Sequence, residues 1–110
     1  MSDSESIAVF MTAPTSEEAR RLAEMLIEKR LAACVQIIPR MESVFRWQGK
    51  IEHANEVLLI AKTLNSKFAE LEKEVRGAHS YETPEIVAFP LSAVSNPYLD
   101  WLKASVLEES

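Results

Sequence analysis

Ala33-Cys34-Val35-Gln36-Ile37-Ile38-Pro39-Arg40-Met41-Glu42-Ser43-Val44-Phe45-Arg46-Trp47, followed by Gln48-Gly49 and then Lys50-Ile51-Glu52-His53-Ala54-Asn55-Glu56-Val57-Leu58-Leu59-Ile60-Ala61-Lys62-Thr63, reads as two extended arms folded back on each other. Both arms are rich in Val, Ile and aromatic residues, and Gly49 supplies the positive φ that a tight hairpin turn needs. At about 3.3 Å per residue each arm would reach roughly 45 to 50 Å, whereas a compact chain of this size has a radius of gyration near 13 Å, so the hairpin is predicted to overhang its own domain. Pro39 cannot donate to a ladder and is tolerated mainly at edges or bulges, which predicts a bend that divides the first arm into two segments. An overhanging ribbon that carries Val44, Phe45, Trp47 and Ile51 needs a cover, because an exposed apolar edge invites pairing with another chain. Oligomerisation by strand pairing is the economical expectation.

Upstream, Ile7 to Met11 is a short apolar run closed by Thr12-Ala13-Pro14-Thr15, a strand followed by a turn. Thr15 with Glu18 three residues later fits a capping box, and Ala19, Leu22, Ala23 and Leu26 recur with the spacing of one helix face. Downstream, Asn65 or Ser66 is expected to cap a second helix with Phe68, Leu71 and Val75 on its apolar face and Gly77 at its terminating position. After the loop His79-Ser80-Tyr81-Glu82-Thr83-Pro84-Glu85, Ile86 to Leu91 reads as a strand, and Asn96-Pro97 opens a last helix bearing Leu99, Trp101, Leu102 and Val106. The order βαββαβα predicts an α+β fold, a ferredoxin-like βαββαβ sandwich with a long hairpin between its second and third strands and an extra C-terminal helix. Residues 1–6 are expected to be a flexible polar tail, 7–107 a single domain and 108–110 a short C-terminal tail.

The chain has 110 residues, 47% hydrophobic and 26% charged, enough for one modest core. Twelve basic against seventeen acidic residues give a net charge of −5, and the basic ones are scattered, which argues against nucleic acid or an acidic membrane surface as a partner. Apolar runs such as Leu31 to Val35 and Val57 to Ala61 fall far short of the roughly 20 residues that span a bilayer. The Ser- and acid-rich amino terminus lacks the pattern of a secretory signal, so a cytoplasmic location is expected. Cys34 is solitary and sits among apolar residues, which suits a buried thiol.

The densest polar cluster is the loop from His79 to Glu85. His79 is the candidate metal ligand or general base, with Glu82 or Glu85 to orient the ring or act as partner acid; the alternative, which the residues favour somewhat more, is that Tyr81 and Glu85 bond backbone or subunit neighbours and hold a helix-to-strand connection in place. Metal-ligand spacing is weak: His53 and His79 are far apart, no thiol pair exists, and His53 beside Glu52 reads as solvated surface. Lys62 at the end of an apolar strand could meet an anion or a loop carboxylate, or snorkel to water. Neither a nucleophile elbow nor a glycine-rich phosphate cradle is present. Trp47 and Trp101 read as large apolar anchors.

Ala32-Ala33-Cys34-Val35 leading to Ile38-Pro39, Arg46-Trp47-Gln48-Gly49-Lys50-Ile51, Glu56-Val57-Leu58-Leu59, Lys62-Thr63, His79 through Ile86, Tyr98-Leu99 and Trp101-Leu102 together resemble the CutA divalent-cation-tolerance family, over about Ile7 to Val106. That resemblance implies a ferredoxin-like subunit in a homotrimer built by strand pairing between subunits, not an enzyme, and a role in tolerance to copper and other divalent cations. It also implies a site. Where copper-binding relatives are thought to use a cysteine after the first strand and two adjacent histidines, this chain has Met11 and Ala78-His79, so the candidate metal ligands are Met11 and His79. The more usual His-Pro is His79-Ser80 here. Tyr81 and Glu85, with Trp47 and Lys62 from the long strands, are expected near a cleft between subunits. Nitrogen-regulatory trimers, which bind effectors in such clefts, supply the alternative expectation of a small-molecule ligand and a signalling role.

Overall fold

A computed structural model describes residue 2 and residues 5–107. β1 (Ser6–Ala13), β2 (Cys34–Trp47), β3 (Lys50–Leu64) and β4 (Ile86–Pro90) form one antiparallel sheet in the order β2-β3-β1-β4, with α1 (Ser16–Glu28), α2 (Phe68–Ala78) and α3 (Asn96–Leu107) between and after them. This is the predicted ferredoxin-like βαββαβ fold with its added helix. Of the expected N-terminal tail, Ser6 already belongs to β1, while residues 1, 3 and 4 and the expected tail 108–110 lie outside the described residues.

Register decides which side chains meet the helices. Ile7, Val9, Met11 and Ala13 of β1 stand opposite Thr63, Ala61, Leu59 and Val57 of β3, and all of these but Thr63 join Ala19, Leu22 and Leu26 of α1 and Leu71 and Val75 of α2 in the core. α1 fits because Thr15 Oγ1 accepts the Glu18 N–H at 3.1 Å, opening the helix where its apolar stripe begins. The alternate residues point the other way. Phe10, Ile38, Leu58, Ile60, Val87 and Phe89 share the helix-free face across all four strands, and Ile38, Val87 and Phe89 are exposed large hydrophobics. α3 covers only one end of that face, where Leu64, Leu102 and Val106 are buried together.

The ribbon overhangs as expected. The molecule measures 44 × 27 × 23 Å with a radius of gyration of 14.6 Å, above the value of about 13 Å expected for a compact chain of this length. Gln48 and Gly49 take φ of 51° and 79°, both positive as a two-residue hairpin turn of the primed kind demands. The bend falls where Pro39 predicts it: pairing steps from Ile38 opposite Leu58 to Met41 opposite Glu56, so Pro39 and Arg40 (φ 66°) together oppose Val57 in a β-bulge. One extra residue reverses the alternation. Before the bulge Val35 and Ile37 face the helices; beyond it Met41, Ser43, Phe45 and Trp47 project from the opposite side of the ladder, the side of Glu56, Ala54, Glu52 and Lys50.

Helix α2 departs from expectation at both ends. A 3-10 turn over Asn65–Lys67 leads straight into it with no side-chain cap, and the helix continues through Gly77 to Ala78. Gly77 does not take the left-handed conformation of a terminating glycine; His79, in extended conformation, ends the helix while its N–H still bonds the Val75 carbonyl at 2.9 Å.

Candidate functional site

The loop from His79 to Glu85 is tied down by three elements. The His79 ring is fully buried, with Nε2 2.7 Å from the Thr12 carbonyl at the end of β1, so Nε2 carries the hydrogen and donates it. Nδ1 accepts the Tyr81 N–H at 2.9 Å. From α1, Glu18 Oε2 accepts both the N–H and the Oγ–H of Ser80, at 2.9 and 3.0 Å, and stands 3.4 Å from His79 Nδ1. Burial raises the Glu18 pKa, but the two bonds from Ser80, with Arg21 adding to them, outweigh it and hold the carboxyl below its ordinary value. Tyr81 lays its ring against the imidazole, centroids 4.8 Å apart, and its hydroxyl donates to Glu56 Oε2 on β3 at 2.9 Å. Burial, and then that hydrogen bond to a carboxylate, push the phenol up to about 12.

Beyond Tyr81 lies an open groove of about 840 Å³ between this loop and the far half of the ribbon, walled by Phe45, Trp47, Glu52, Glu56, Tyr81, Glu82 and Glu85. The bulge makes it. Because the alternation reverses at Pro39 and Arg40, Phe45 and Trp47 share a side of the ladder with Glu56 and Glu52. A shallower hollow of about 520 Å³ sits over the bulge itself, bordered by Pro14, Arg40 and again Glu56.

Trp47, Tyr81 and Glu85 are thus gathered on one groove. Lys62 stands apart: its Nζ donates to Gln36 Oε1 at 2.7 Å on the neighbouring strand, and it is not among the residues of the groove wall. Met11 and His79 do not form an open thioether–imidazole pair. Met11 points into the core with 0% of its surface exposed, and both imidazole nitrogens are engaged by the backbone, so the residues present do not fit a metal ion without rearrangement. Among the described residues no three His, Cys, Asp or Glu side chains converge where an ion could be held. Cys34 is half-buried, with Sγ 3.4 Å from the Tyr98 hydroxyl; that contact and burial push the Tyr98 phenol up to about 12. His53 pairs with Glu42 at 3.2 Å on the exposed ribbon.

Two site residues escaped the sequence reading. Glu18 looks like half of a capping box, but its carboxylate serves Ser80 instead of the helix N-terminus. Glu56 interrupts nothing in a strand pattern, yet it is only 9% exposed. A carboxylate next to the Val57–Ala61 apolar run was the available signal.

Fold and groove define a ferredoxin-like α+β protein with a projecting ribbon and an acidic, aromatic-walled groove along the ribbon's far half. The model of the CutA1 divalent ion tolerance protein family matches residues 7–105, and the chain belongs to that family. It is 45% identical over 95 residues to the divalent-cation tolerance protein CutA of Thermus thermophilus, covering 86% of this chain and 92% of that one. It is 43% identical over 100 residues to a CutA protein of Arabidopsis thaliana described as chloroplastic, covering 91% of this chain but 55% of the relative. Among solved structures, a CutA from Archaeoglobus fulgidus, described as a periplasmic divalent cation tolerance protein, superposes with a TM-score of 0.90 at 48% identity over 92% of this chain and 98% of that one. CutA1 from Oryza sativa superposes with a TM-score of 0.92 at 43% identity, covering 96% of both chains. Among the described residues, no helix is long and apolar enough to cross a membrane.

Proposed function

We propose that this protein works in the cytosol as a homotrimer, without catalysing a reaction, in tolerance to divalent cations, copper among them. The observation that carries the trimer is the helix-free sheet face: Phe10, Ile38, Leu58, Ile60, Val87 and Phe89 form a continuous apolar surface across four strands, flanked by the exposed Val44, Phe45, Trp47 and Ile51 of the ribbon. Such an area is far more apolar than a chain on its own keeps in water, and sister copies would cover both it and the ribbon edge. Family membership supports the tolerance role, and the relatives named for divalent-cation tolerance are alike over nearly their whole length. The groove of Trp47, Tyr81 and Glu85 would then lie at the seam between subunits.

The test is complementation. A host lacking its own family member, challenged with graded copper, regains growth on expressing the wild-type chain. Phe89→Asp, which places a charge on the open face, gives a single-chain species in sedimentation and no rescue. Full rescue by a demonstrably single-chain Phe89→Asp would overturn the proposal.

A second reading is favoured by the size of the groove. About 840 Å³ falls within the 300–1,000 Å³ typical of small-molecule sites, which suits a trimer that senses a small ligand.

A further inference from the structure

We draw no further inference here: the strongest candidate, the hollow over the bulge bordered by Arg40 and by Thr15 and Ser16 at the start of α1, carries nothing, because it rests on a helix N-terminus, and Thr63, the one buried polar side chain without a partner among the described residues, does not line it.

Discussion

Replacing Glu18 should loosen the loop that carries Tyr81, and the size of the effect follows from its contacts. Glu18→Ala strips Ser80 of an acceptor for both its N–H (2.9 Å) and its Oγ–H (3.0 Å). Bonds to a charged acceptor contribute about 1.5–3 kcal/mol each, and since Glu18 is buried but the Ser80 side of the contact is reachable by water, the lower value applies twice, giving about 3 kcal/mol. The Arg21 pair, at 4.0 Å with Arg21 largely exposed, adds little. Glu18→Gln keeps an oxygen in place and loses only the charge, a cost of about 1 kcal/mol. Thermal melts at fixed protein concentration should therefore fall by about 12 °C for the alanine variant and about 4 °C for the glutamine variant. The pH dependence supplies a second reading. The folded Glu18 carboxyl is held below its ordinary value of 4.5, so its contribution is complete above that pH and is lost as pH falls through the folded value. The gap between wild type and Glu18→Gln should accordingly be widest near neutrality and shrink in acid below pH 4.5. A melt of Glu18→Ala within about 0.5 kcal/mol of wild type, or a wild-type to glutamine gap that is constant from neutral to acid pH, would refute the reasoning.

Three further outcomes are expected. Tyr81 has its phenol raised from 10.0 to about 12, so the stability it contributes is intact below pH 10 and is lost as pH rises through the folded value; Tyr81→Phe should abolish that part of the alkaline loss in urea titrations between pH 9 and 12. Gly77→Ala should stabilise by about 0.5–1 kcal/mol in chemical denaturation, because the residue is helical and a Cβ there meets nothing within 4 Å; destabilisation would mean that the glycine terminates the helix after all. Gly49→Ala should destabilise by about 1 kcal/mol by the same assay, since the space is open but φ is +79°.

Most of the fold was legible because its signals are local or periodic. The Val- and Ile-rich arms about Gln48-Gly49, the 3.6-residue stripe of Ala19, Leu22 and Leu26, and the Asn96-Pro97 start each declare an element within a few residues. Gly77 misled because a glycine near the end of a stripe looks alike whether it stops a helix or lies one residue inside it. The site was only half legible. Trp47, Tyr81 and Glu85 come together because a bulge and a loop aim them at one another, whereas Lys62 stands at the far end of β3, opposite Cys34 at the start of β2, a distinction of register that composition does not carry. Met11 falls on the helix-facing side of β1, as strand parity requires once Ile7 and Val9 are core. Glu18 and Glu56 were invisible as site residues because their partners, Ser80 and Tyr81, are far away along the chain.

The two residues that oppose Val57 also govern how the ribbon can change in length. A single insertion or deletion between Ile38 and Met41 would turn every later side chain of that arm through to the reverse surface, emptying the groove of Phe45 and Trp47 at a stroke. Beyond the bulge, growth at the tip that keeps both arms in step comes in even increments, so variation among tolerated lengths should be quantised in twos.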